Sequence, residues 1–254
     1  MRAIGIVWML LSICWLGLGF AEDRIRLTNG EWPPYFSSHL KHYGVGSRIV
    51  SEAFAMEGVR VEYGFFPWKR SLKLAEEGTW DGAVGWDKNP ERERKFHVSL
   101  PVWEAPWVFF HLKSLSFDWI DFDDLRDLRI GGTLGYMYSR GFFEAESSGR
   151  IKVERTTSDE LNFKKLRGGR IDVFPQLMDI GYFQLHELYD PETVDLFTHH
   201  DIPIGKHCDY LLLSRHGERN TEMMERFNRG LKKLRQSGKY EQYFDESRRG
   251  EYGD

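Results

Sequence analysis

The sequence predicts an α/β protein of two similarly built lobes, each a doubly wound sheet. Strand and helix periodicities alternate along most of the chain. A short pattern, glycine, two residues, aspartate and then a strand, occurs once in each half, from Gly78 to Asp81 and from Gly169 to Asp172. The 254 residues also exceed what one core of about 100 to 150 residues usually holds.

The N-terminus comes first. Met1 and Arg2 form a short positive start, residues 3–18 are almost wholly apolar, and Gly19-Phe20-Ala21 places small residues at −3 and −1 before Glu22 and Asp23. That is the layout of a secretory signal peptide over residues 1–21. The apolar run falls short of the roughly 20 residues that span a bilayer. Cys14 lies inside that run behind Ile13, a poor setting for lipid attachment. A mature, soluble periplasmic chain is expected. Loss of Arg2 leaves 34 basic against 39 acidic residues without long runs of either sign, which argues against a nucleic-acid partner. Cys208 is the one cysteine outside the leader, so stability must come from packed cores and not from an internal disulfide.

Residues 23–29 read as the opening strand, with Ile25 and Leu27 on one face, broken by Gly30 and Pro33-Pro34. Val45, Ile49, Val50, Ala53 and Phe54 follow the helical period up to Met56, and Val59, Val61, Tyr63 and Phe65 then alternate as a strand. A helix over residues 68–77 stops at Gly78, and residues 81–85 make a short buried strand. This βαβα order implies a parallel sheet. After a crossing segment at residues 107–112 the order repeats. Residues 129–131 form a strand, 138–146 a helix and 152–155 a strand, and Thr157 with Glu160 offers a capping box for a helix ending near Gly168. Residues 195–197 form a short strand, residues 209–214 a strong one, and residues 220–237 an amphipathic helix that Gly238 stops. The last strand and helix are expected to return to the first lobe. The chain then divides into residues 22–112 and 208–254 for lobe 1 and residues 113–207 for lobe 2, with the hinge near residues 111–114 and 206–209.

Several stretches carry a resemblance. Glu31-Trp32-Pro33-Pro34-Tyr35 follows the first strand, and Gly44-Val45-Gly46 opens a helix. Pro67-Trp68-Lys69-Arg70-Ser71-Leu72 precedes Gly78-Thr79-Trp80-Asp81-Gly82-Ala83. Asn89-Pro90-Glu91-Arg92 precedes Val98-Ser99-Leu100-Pro101, and Leu234-Arg235-Gln236-Ser237-Gly238-Lys239-Tyr240 closes the order. In this sequence of parts the chain resembles the family 3 extracellular solute-binding proteins of ATP-driven (ABC) importers of polar amino acids. The resemblance implies a Venus-flytrap in which two lobes close on one ligand. It also implies a monomer that needs no cofactor, with a membrane permease as partner. Ligands in such sheets sit beyond the carboxyl ends of strands.

Candidate ligand contacts follow from that placement. Asn29 ends the first strand. Trp32, Trp68 and Trp86 stand at strand ends or helix starts of lobe 1, where rigid rings wall a small pocket at low entropic cost. Arg92 occupies the position at which the resemblance implies a carboxylate clamp, which suits the planar guanidinium fork. Tyr136 and Tyr138 lie in the turn before a lobe 2 helix. Gln176 stands beside the place where the resemblance implies a carboxylate for the ligand's amine. No acid occupies that place, and Asp179 lies further on. The ligand's carboxylate is therefore expected to matter more than its amine. His199, His200, His207 and Cys208 lack a recognised zinc spacing. A flytrap-fold dehydratase of cyclohexadienyl substrates and a ligand-sensing partner of a membrane receptor are the alternatives. Catalysis needs a positioned acid in the cleft, and none is evident.

Overall fold

The computed structural model describes residues 23–253, so the signal-peptide reading of residues 1–21 lies outside the described residues. The chain begins with β1 (Asp23–Asn29), α1 (Val45–Ala55), β2 (Val59–Phe65), α2 (Trp68–Glu76) and β3 (Gly82–Trp86). β1 pairs parallel with both β2 and β3, with Ile25 opposite Val61 and Leu27 opposite Gly82. The expected βαβα unit is thus present. Its helix α1 buries Val45, Ile49, Val50, Ala53 and Phe54, the residues whose spacing marked it as amphipathic.

The chain continues through α3 (Pro90–Lys95), β4 (Phe96–Val98) and the ten-residue β5 (Trp103–Leu112). Next come β6 (Ile130–Thr133), α4 (Arg140–Ser147), β7 (Val153–Thr156), α5 (Asp159–Arg167), β8 (Phe174–Leu177), α6 (Met178–Leu188), α7 (Pro191–Val194) and β9 (Phe197–His199). β10 (Gly205–Ser214), α8 (Asn220–Gln236) and α9 (Lys239–Arg248) end the element order.

The main sheet runs β2-β1-β3-β10-β5-β8, with β4 also on β10 and β9 on β5, while β6 and β7 pair parallel apart from it. Beside β4, β10 changes partner along its length. Residues 210–213 pair antiparallel with β3, and residues 205–209 pair with β5. β5 in turn pairs with β8 through residues 107–110. β5 and β10 therefore form a two-stranded bridge between cores. One core gathers Ile25, Ile49, Phe54 and Trp103 with Phe227 and Leu231 of α8 and Tyr240 and Phe244 of α9. Phe109, Trp119, Phe142 and Ile151 make another, and Phe110, Phe163, Phe174 and Phe197 a third.

The repeated glycine-to-aspartate pattern has a structural cause. Asp81 Oδ2 accepts from the Arg26 backbone N–H at 2.7 Å, and Asp172 Oδ2 accepts from the Arg129 backbone N–H at the same distance. In each lobe the arginine side chain then reaches back to a carbonyl before its aspartate, Thr79 O at 2.9 Å and Gly169 O at 2.8 Å. The pattern ties the first strand of each lobe to its neighbour.

Some local expectations are corrected. The cap of α5 is Ser158, which accepts from Leu161 N at 3.3 Å, and not Thr157. The helix expected from residue 138 starts at Arg140, because Tyr138 has φ of +55° and Ser139 caps α4. α3, α6 and α9 were not anticipated as helices. Among the described residues no helix is long and apolar enough to cross a membrane.

Candidate functional site

The loop after β1, the turn after β6, the end of β8 and the bridge strands converge on a cavity of about 550 Å3. Trp32 and Pro33 contribute from the first lobe, Tyr136, Met137, Gln176 and Gln184 from the second, and Trp107 and His207 from the bridge. Ligand sites of this size commonly have apolar walls with a few convergent polar groups. Trp107 meets Tyr136 edge-on, with ring centroids 6.4 Å apart.

Trp32 and His207 also border a smaller cavity of about 290 Å3, whose other walls are Trp68, Gly85, Trp86, Asp87 and Asp209. The indoles form a corner: Trp68 lies edge-on to Trp32 at 6.5 Å and to Trp86 at 5.4 Å. Two glycines make room for it. A Cβ on Gly30 would fall 2.3 Å from the Trp68 ring, and Gly85, at φ of +81°, would place one 2.4 Å from Phe36. Asp209 is 1% exposed on β10, and two residues earlier on the same strand face stands His207, with Nε2 3.2 Å from Asp209 Oδ2. The approach of that carboxylate raises the His207 pKa, and burial raises that of Asp209. Asp209 Oδ2 makes no aligned hydrogen bond, although the His207 ring and the Trp103 indole both approach the carboxyl.

Across the cleft, Asp159 opens α5 and is buried. An acid is favoured in the first turn by the helix dipole. Its Oδ1 accepts from Thr133 Oγ1 at 2.5 Å, and its Oδ2 accepts from Gln176 Nε2 at 2.8 Å, Gln184 Nε2 at 3.1 Å and Tyr136 OH at 3.5 Å. The Gln176 Oε1 accepts from Leu177 N at 2.8 Å. These bonds fix the orientation of the amides and of Tyr136, whose phenol pKa is raised by burial and by Asp159.

Residues 26–246 match the bacterial extracellular solute-binding proteins, family 3. The chain belongs to this family. Solved structures share its fold at low identity. The second substrate-binding domain of GlnP from Lactococcus lactis, in an open conformation, has a TM-score of 0.71 at 16% identity, covering 89% of this chain and 96% of that one. The unliganded, open L-cystine solute receptor of Neisseria gonorrhoeae gives 0.71 at 16% identity, covering 88% and 94%. An amino acid ABC transporter substrate-binding protein, AbpA from Streptococcus pneumoniae, bound to L-arginine, gives 0.53 at 15% identity, covering 91% and 97%. No curated protein sequence matches the chain.

Within this family 3 solute-binding protein the candidate residues separate into groups. Trp32, Trp68 and Trp86 come together in one box, and Trp32, Tyr136 and Gln176 share the larger cavity. Asn29 is fully buried, donating to Ser47 Oγ at 3.0 Å at the start of α1. Tyr138 is also buried, its phenol accepting from Thr133 N at 2.6 Å, and burial pushes its pKa up to about 12. The Arg92 guanidinium stacks 4.8 Å from the Trp86 centroid and is bonded to the Asp87 carboxylate and, at 2.9 Å, to the Asp87 carbonyl. The histidines and cysteine weighed for metal are dispersed: Tyr182 OH lies 2.7 Å from His199 Nδ1, His200 faces Asp118, and His207 faces Asp209. Sequence reading missed Asp159, Gln184 and Asp209. The i, i+2 spacing of His207 and Asp209 on a strand was the available signal for that pair.

Proposed function

We propose that the protein is a periplasmic receptor that captures a small polar solute between its lobes and delivers it, chemically unchanged, to the permease of an ABC importer. The cleft carries this reading: both lobes wall it, and two neighbouring strands, β5 and β10, bridge it. Such a pair is a natural hinge, since a few residues can absorb the rotation that closes two lobes. Support comes from the family and from neighbours described as amino-acid transporter and L-cystine receptors. In our reading lobe 1 comprises residues 22–112 and 208–254, and lobe 2 residues 113–207. The ligand meets Trp32, Trp68 and Trp86 on one side and Tyr136 and Gln176 on the other. Arg92 reaches it only by leaving Asp87, and Asn29 and Tyr138 brace the walls. Asp159 faces four donors, an arrangement that suits an acceptor and not the mobile proton a dehydratase needs.

A thermal-shift screen of amino acids, amines, dicarboxylates and short peptides tests this, because a ligand that binds the folded state raises the melting temperature. At least one solute should do so, and small-angle scattering should show the protein contracting around it. A screen without any stabilising solute, or solute recovered altered after incubation, overturns the reading. Fractionation should find the chain in the soluble periplasmic pool, starting at Glu22. An uncleaved or membrane-embedded form would refute the export step.

A further inference from the structure

The lining of the two cavities has a pronounced charge bias. Neither contains a lysine or an arginine. Asp87 and Asp209 line the tryptophan box, and Asp159 braces the opposite wall behind Gln176 and Gln184. Arg92, a permanent cation beside the box, is already committed to Asp87 and to the face of Trp86. Asp209 retains a buried oxygen, Oδ2, to which its neighbouring donors, the His207 ring and the Trp103 indole, make no aligned hydrogen bond. A buried carboxylate left in that state is costly unless something positive completes it. His207 can do so in its protonated form, but it stands at the rim, with a side chain 35% exposed, and its ring also packs edge-on to Trp32 at 5.8 Å. Three indoles beside an incompletely satisfied carboxylate suit a cation, since the negative faces of the rings attract positive charge and tryptophan does so most strongly. An anionic head would meet Asp87 and Asp209, with His207, already turned to Asp209, as the one group in the lining able to offer positive charge.

We infer that the ligand is an organic cation whose alkylammonium or guanidinium head enters the box of Trp32, Trp68 and Trp86 over Asp209, and that an α-carboxylate is dispensable to its binding. This rests on the solute-binding reading and narrows it. The remainder of the ligand lies in the larger cavity, where the amides of Gln176 and Gln184 and the hydroxyl of Tyr136 offer neutral polar contacts.

Calorimetry with matched probes tests the inference: L-arginine, its decarboxylated analogue agmatine and its neutral isostere citrulline, and choline against its neutral isostere 3,3-dimethylbutanol. L-glutamate and L-glutamine serve as anionic and neutral comparisons. At least one cation should bind, agmatine should match arginine if the head is a guanidinium, and each neutral isostere should bind at least about tenfold more weakly than its cation. Asp209→Asn should weaken the binding cation at least about tenfold, and Trp86→Leu should do the same from another wall, with circular dichroism confirming that both variants fold. Arg92→Ala, which frees Asp87 and the face of Trp86, should leave cation binding as tight or tighter, whereas a loss beyond about threefold would mean that Arg92 clamps a carboxylate of the ligand. Binding by glutamate or glutamine without any cation overturns the inference and leaves the solute-binding reading intact. If no cation of the panel binds while another solute stabilises the protein, the inference is likewise rejected. If no solute of any charge binds, the solute-binding reading falls with it.

Discussion

The two lobes use the same device to build their sheets and different chemistry to face the cleft. Asp81 and Asp172 each capture the backbone N–H of an arginine on or just before a neighbouring strand, so one local rule joins strands in both lobes. On the cleft side the likeness ends. Lobe 1 presents the indoles of Trp32, Trp68 and Trp86, whereas lobe 2 presents Tyr136 and the amides of Gln176 and Gln184, held by Asp159. The aromatic wall offers area and polarisable faces with few fixed directions, and the amide wall offers directed hydrogen bonds. In the proposed binding scheme one lobe attracts a head group and the other sets how the remainder is turned. A closing cleft brings the two together.

The comparison breaks most readily where the lobes touch outside the bridge strands. Asp179 of α6 is 2% exposed; it accepts from Arg248 Nε of α9 at 2.7 Å and from Tyr35 OH of the loop after β1 at 2.9 Å. Asp179→Ala would leave a three-quarters buried guanidinium with Asp245 as its remaining ion partner among the described residues, at a cost of about 2 to 4 kcal/mol, below the full loss of a buried pair. Chemical denaturation should show a loss of that size. A loss under about 1 kcal/mol would mean that water replaces the pair and that the helices are not joined there. A second substitution acts on one wall alone. Asp159→Ala leaves Thr133, Gln176, Gln184 and Tyr136 without their common acceptor, and should cost about 2 to 3 kcal/mol of stability while leaving the indole environment of lobe 1, read by near-UV circular dichroism, unchanged. A matching change in the tryptophan signal would show that the two walls are not independent.

How much of this was legible in the sequence depends on whether the deciding contact was local. The βαβα order and the glycine-to-aspartate repeat were readable because strand alternation, helix period and a strand-edge clamp are set within short stretches. Helix α6 was not. Gly181 lies in its middle and looks like a breaker, yet Phe110 packs so closely that a Cβ there would fall 2.3 Å from its ring. The site was the least legible part. Asp159 reads as an ordinary first-turn acid, and Asp209 as the polar start of a strand. Only the antiparallel pairing of Asp209 with Trp103 buries one, and only the approach of α6 brings Gln184 to the other. The tryptophans were visible because a large ring at a strand end is unusual on its own.

The smallest expected effect bears on what the lobes share. Asp172 receives more from its arginine than Asp81 does: Arg129 adds Nε at 3.0 Å and Nη2 at 2.6 Å to the backbone bond, whereas Arg26 approaches Asp81 with Nε at 3.9 Å. The hydrogen bond from Arg129 holds the Asp172 carboxyl below its usual pKa. A group with a depressed folded-state pKa stabilises the fold above its unfolded value, about 3.9, and loses that contribution as pH falls through the folded value. Asp172→Asn should therefore cost about 1 kcal/mol at pH 7, the arginine being 57% exposed and the pair screened accordingly. The gap between variant and parent in denaturation midpoint should narrow as pH is lowered from about 5 toward 3. Asp81→Asn should cost less at pH 7, because fewer charge-assisted bonds are lost. Equal costs for the two variants would show that the backbone bond alone, common to both lobes, carries the stabilisation.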